Sequence, residues 1–147
     1  MQYQKQPNGW SCLPTAFAIL LDIPVKEIFE FCGHDGSEKV FSNCSDPHCR
    51  RSFHIQEMVE FCLSRQKAVV QISRNFCSQN LGGQKYSITR SREDILKLMK
   101  EHHGVLTGFV NGHGHAVAWV GHIIDPDNLP YDVDNFDIHT FFIIKSI

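Results

Sequence analysis

The sequence predicts an α+β fold in one domain spanning residues 1–147: helices gathered early and strands late, with the helices packed on a small, mainly antiparallel β-sheet. Three observations carry this reading. Residues 12–21 are apolar on almost every side, which marks a helix buried at the centre. Two more stretches with helical spacing follow before residue 65. After residue 104 the apolar residues fall into three strand-like runs.

The elements follow in order. Residues 6–12 form a turn-rich lead-in, and Pro14 suits the first turn of the helix it opens. Residues 24–32 give a second helix, with Val25, Ile28 and Phe29 on one face and Gly33 as its stop. Residues 53–64 give a third, with Ile55, Met58, Val59 and Cys62 at helical spacing. Residues 68–72 read as a strand, and 74–90 read as a loop around Gly82 and Gly83. Ser91 opens a fourth helix through a capping box in which Asp94 replaces the usual Glu. Its inner face is Ile95, Leu98 and Met99, and Gly104 ends it. The closing strands are 105–110, a hairpin over 115–124 turning at Gly121, and 140–145.

A chain of 147 residues buries about 68–70% of its unfolded surface, enough for a core without disulfides or metal. The net charge of −2 argues against general nucleic-acid binding, which needs a basic footprint. The longest apolar run, 16–21, is far short of the roughly 18 residues of a membrane span. Residues 1–6 lack the layout of a secretory signal, so the expected location is the cytoplasm, or the host cytoplasm for a viral protein. Six Cys and nine His in a reducing compartment point to catalysis or metal before disulfides. Cys32 and Cys62 sit in amphipathic patterns and read as small core residues.

Cys12 stands where the lead-in meets the buried helix. A helix start carries partial positive charge and free N–H groups, which favour a thiolate nucleophile. An isolated Cys is more often buried and inert, so its company decides. Gln6 precedes it by six residues, across Pro7, Asn8 and Gly9, and a tight lead-in folds its amide back beside the sulfur. That amide and the Cys12 N–H would face the oxyanion of a tetrahedral intermediate. His115 begins an apolar run after a Gly-rich bend and serves as base, with His113 as rival. Asp125 follows across the hairpin. With the loop centred on Val120 it lies opposite His115 and fixes the imidazole, whereas a one-residue shift would put the two on opposite faces. The alternative for Asp125 is a turn-opening Asp before Pro126. Trp10, Gly114 and Trp119 flank the set and read as substrate-binding, although core packing serves Trp119 equally.

This order, Gln, then Cys at a helix start, then a late His and an Asp-Pro on the next strand, resembles the papain-like cysteine peptidases. It is most similar to the compact bacteriocin-leader-processing peptidase domains and small phage-encoded relatives. The stretches 6–16 (QPNGWSCLPTA) and 114–126 (GHAVAWVGHIIDP) carry the resemblance. It implies a papain-like fold and a cysteine hydrolase with Cys12, His115 and Asp125 as triad and Gln6 at the oxyanion hole. It implies a protein or peptide substrate and no cofactor. The ten-position spacing from His115 to Asp125 makes a tighter hairpin than leader-processing domains usually have. Transfer of the acyl group to an amine, by the same triad, is the nearest alternative. A non-catalytic binding module on the same fold is another. A third is a zinc-stabilised domain using Cys32, His34, Cys44, His48 and Cys49, whose spacing matches no common zinc site. The acidic residues Asp127, Asp132 and Asp134 lack the Gly and Glu of an EF-hand and read as a solvated loop. The sequence leaves the oligomeric state open.

Overall fold

A computed structural model describes residues 2–40, 50–79, 82–129 and 132–147. Its helices are α1 (Cys12–Leu21), α2 (Val25–Cys32), α3 (Ile55–Ser64) and α4 (Arg92–Glu101). Its strands are β1 (Lys67–Ser73), β2 (Asn75–Gln79), β3 (Lys85–Thr89), β4 (Gly104–Val110), β5 (His113–Trp119), β6 (Ile123–Ile124) and β7 (Asp137–Ser146). Five strands make one antiparallel sheet in the order β1-β7-β4-β5-β6. The α+β expectation holds, and no helix among the described residues is long and apolar enough to cross a membrane.

Helix α1 is the central pillar. Residues 14–20 are all buried, so neither face is spent on solvent. It ends at Asp22, which adopts the left-handed conformation (φ 57°), and Gln4 then clamps the junction to α2. The Gln4 amide donates to the Ile23 carbonyl at 2.6 Å and accepts from the Val25 N–H at 3.1 Å. The extended lead-in is thereby tied to the far end of the helix it precedes.

The sheet is covered on both faces. Val105, Ala116 and Phe142 join the core formed with α1, α2 and α3. Leu106, Val117, Phe141 and Ile143 join a second core with Ile95 and Met99 of α4. Double coverage explains why these strands read as apolar runs rather than clean alternations. A bulge in β7 keeps the second core together. Pairing jumps from Thr107–Thr140 to Gly108–Ile138, leaving His139 as the extra residue. Ile138 therefore shares a core with Phe141 and Ile143 despite the odd spacing.

Three local expectations are corrected. Residues 74–90 are not a plain loop, because β2 and β3 form a separate two-stranded ribbon with Phe76 opposite Ile88. All of β3 is exposed, so no buried face imposed a strong pattern, although Tyr86 and Ile88 do alternate with polar residues. Gly104 does not end α4. His102 caps that helix, and Gly104 opens β4, where a Cβ would sit 2.1 Å from the Phe142 carbonyl oxygen. Strand β5 begins at His113, two residues before His115. The predicted capping box of α4 is present, with Ser91 and Asp94 as partners.

Candidate active site

The nucleophile candidate is held by a braced turn. The Asn8 side-chain oxygen accepts the Trp10 N–H at 2.9 Å, and the Ser11 hydroxyl donates to the Asn8 carbonyl at 3.1 Å. The Asn8 amide also donates to the Asp35 carbonyl at 2.9 Å. Ser11 is fully buried beneath this turn, and Cys12 follows it as the first residue of α1, half-buried. The first intrahelical bond runs from the Thr15 N–H to the Ser11 carbonyl at 3.1 Å. The Cys12 and Leu13 N–H groups stand at the open end of the helix, where the backbone offers them no carbonyl partner.

His115 comes from the opposite side of the chain. Asn111 and Gly112 turn β4 into β5 with φ of 51° and 77°, the two left-handed positions of a type I′ hairpin. This turn fixes the β4–β5 register and sets His115 across from Gly108. Gly108 has no room for a side chain, since a Cβ there would lie 1.9 Å from the Asp137 carbonyl oxygen.

Asp125 arrives by a register different from the one expected. Ala118 pairs with Ile124 and Trp119 with Ile123, so the β5–β6 hairpin is centred on Gly121 (φ 93°) rather than Val120. Asp125, one residue past the ladder, falls nearest Val117, diagonal to His115 and on the same side. Moving the centre by one residue shifts the partner by two, so the face is kept. The His115 Nε2 meets both Asp125 oxygens, at 2.9 and 3.0 Å. The pair is enclosed, with 8% and 2% of the two side chains exposed. Asp125 also opens the turn before Pro126, accepting the Asp127 N–H at 2.6 Å. Both readings of this residue are therefore realised at once.

The Cys12 thiol is the other group that acts on the His115 ring, and both line the same cavity. Burial alone would push the imidazolium pKa down. The Asp125 carboxylate, which accepts the ring's hydrogen bond, and the neighbouring Cys12 outweigh it, and carry His115 up to about 10. Cys32 and Cys62 are also pushed up, with burial foremost, to about 11 and about 12, so both remain neutral thiols near pH 7. That agrees with their reading as packing residues.

Gln6 is delivered to the same place. Its N–H donates to the Pro126 carbonyl at 2.9 Å, which ties the lead-in to the residue after Asp125. Its side-chain Oε1 is buried without a protein partner. A half-turn about the last torsion exchanges the two ends of the amide, and no bond at Oε1 opposes it. Gln6, Cys12 and His115 line one open cavity of about 250 Å³, with His113, Gly114 and Asp127 around them. His113 is thus on the cavity wall, while the carboxylate partner belongs to His115.

The remaining candidates separate. Trp119 packs in the α4 core, and its indole N–H donates to the Met99 carbonyl at 2.7 Å. It is absent from the cavity lining because, on the same strand face as His115, it lies four residues, roughly 13 Å, further along β5. Trp10 lies under the Arg50 guanidinium, 5.0 Å from the ring centroid, and is also outside the lining. Of the zinc set, Cys44, His48 and Cys49 lie outside the described residues. His34 already uses both nitrogens: Nε2 meets Glu57 at 2.7 Å and Nδ1 accepts the Gly36 N–H at 3.0 Å. Asp132 caps the short 3-10 helix Val133–Asn135 through the Asp134 N–H, while Asp127 sits by the triad. His115, Asp125 and Asp127 can place one ligand atom each within 4.8 Å of one another, the one such group among the described residues. A metal using Nε2 would have to break the His115–Asp125 bond. Asn111 and Asp127 are the contributors whose role at the site sequence reasoning missed. The Asn-Gly pair was a hairpin signal available for the first.

No protein-family model, no curated protein and no solved structure matches the chain.

Proposed function

We propose that this protein is a papain-like cysteine hydrolase acting on an amide or isopeptide bond of a protein or peptide. One observation carries the reading: a helix-start thiol and an imidazole line the same open cavity, and the imidazole is hydrogen-bonded to a buried carboxylate. The raised pKa of His115 suits a protonated ring standing beside a thiolate. The Cys12 sulfur attacks the carbonyl carbon, and the oxyanion is met by the Cys12 N–H and the Gln6 amide. His115 then gives its proton to the departing nitrogen as the C–N bond breaks, leaving a thioester on Cys12. Water attacks the thioester, His115 takes the proton, and the acid product leaves with the thiolate restored. Asp125 holds the ring throughout. An amine in place of that water would give acyl transfer by the same steps.

The test is limiting iodoacetamide near neutral pH, with labelling read at each Cys peptide by mass spectrometry. Cys12 should react at least tenfold ahead of exposed Cys77, and His115→Ala should abolish that lead. Equal or slower labelling at Cys12 would overturn the proposal in favour of a binding module. Adding a primary amine during turnover of an active peptide then separates hydrolysis from transfer.

A further inference from the structure

We infer that Asp127 is a specificity residue, selecting substrates that carry a positive charge on the leaving-group side of the scissile amide. This rests on the hydrolase reading and extends it to the class of substrate. The polar wall of the cavity is unequal in charge. Asp127 lines it, and no Lys or Arg does so among the described residues. The triad itself, as thiolate, imidazolium and carboxylate, sums to one negative charge, and Asp127 adds a second.

The position of Asp127 sets which half of the substrate it meets. A carboxylate oxygen of Asp127 lies within 4.8 Å of a His115 ring nitrogen. His115 must reach the departing nitrogen to protonate it, so the leaving group sits on the His115 side of the sulfur. Asp127 stands on that side. Its backbone is fixed by the 2.6 Å bond from its N–H to the Asp125 carboxylate, while its side chain stays exposed. The backbone at Asp127 is therefore anchored to Asp125, and the exposed carboxylate is free to meet a ligand. A Lys or Arg at the first position after the cleaved bond meets this requirement. By reversibility, so does a cationic amine arriving as acyl acceptor.

Charged thiol reagents test this without a known substrate. Wild-type protein is treated with a trimethylammonium-ethyl methanethiosulfonate and with its sulfonato-ethyl counterpart. Rates are read at the Cys12 peptide, and their ratio is divided by the same ratio for a small free thiol. A carboxylate on the same cavity wall as Cys12, within 4.8 Å of the His115 ring, should favour the cation over the anion by about tenfold at low salt. Asp127→Asn keeps the backbone N–H bond and should remove most of that preference, and Asp127→Lys should reverse it. Should either variant fail to fold, 1 M salt on the wild type should collapse the preference instead. A ratio near one in the wild type, or one that Asp127→Asn leaves unchanged, would overturn the inference. If neutral iodoacetamide shows no lead at Cys12, the hydrolase reading fails, and this inference with it. A clear lead with no charge preference rejects Asp127 alone.

Discussion

Replacing Asp125 by Asn removes a negative charge and keeps the shape of the side chain. The Asn oxygen can still accept the Asp127 N–H that Asp125 now accepts at 2.6 Å. Its amide would turn a donor toward the His115 Nε2, which lies 2.9 and 3.0 Å from the present oxygens. For charge centres about 4 Å apart at an effective dielectric near 20, the lost attraction is about 4 kcal/mol, or about three pK units. Relaxation and water entry reduce this, so we expect His115 to fall by about two units from its value of about 10. Cys12→Ala should lower it further. With Asp127→Asn added, which removes the remaining carboxylate within 4.8 Å of the ring, burial is left to dominate, and His115 should titrate below its ordinary 6.5. The assay is an NMR titration of ¹³Cε1-labelled histidine, with the His115 signal assigned by His115→Gln. A shift under half a unit in Asp125→Asn would refute the carboxylate as a main cause, and a triple variant above 6.5 would refute the burial penalty. Stability should follow with a definite sign. The folded pKa is raised, so the contribution of the pair is fully present below about pH 6.5. It is lost as pH rises through about 10. Urea unfolding should therefore separate wild type from Asp125→Asn more widely at pH 6 than at pH 10.

Two further substitutions probe the ends of the site. Gln6→Ala should slow acylation by an activated ester by about 10²–10³, while iodoacetamide labelling of Cys12, which forms no oxyanion, stays within a factor of about three. A loss of labelling equal to the loss of acylation would instead point to a structural role. Gly108→Ala would set a Cβ 1.9 Å from the Asp137 oxygen and force β4 away from β7. The expected cost is about 3 kcal/mol, a Tm fall of roughly 6–12 °C by calorimetry, and an unchanged Tm would contradict the tight approach of the two strands.

The sequence was most legible where local chemistry and tertiary structure agree. Apolar residues all round 12–21, Gly33 as a stop and Ser91 with Asp94 as a cap each dictate an element whatever the rest of the chain does. The candidate site was legible for a similar reason, since a helix start, a strand and a hairpin deliver Cys12, His115 and Asp125 without fine geometry. The hairpin register was not, because Gly121 makes a turn centred on Val120 or on itself plausible locally. Only the pairing of Trp119 with Ile123 decides it. The ribbon of β2 and β3 escaped because a strand with every residue exposed carries no core pattern. The start of α3 hid for another reason. His54 caps it by accepting the Gln56 N–H at 3.0 Å, while Glu57 returns to the His54 N–H. Histidine is outside the usual set of capping residues.

Strand β7 is the last of the strands in chain order, yet it stands between β1 and β4 in the sheet. Every proposed catalytic group precedes it. A polypeptide emerging from the ribosome will therefore hold Gln6, Cys12, His115 and Asp125 in sequence well before β1 and β4 can be joined. Until residues 137–146 insert, two open edges flank the gap, and the long-range pairing of Lys67 with Ser146 has yet to form. Chemical competence should thus lag translation, arriving in a single late closure, and nascent chains stalled just short of β7 should display those edges to chaperones and to one another.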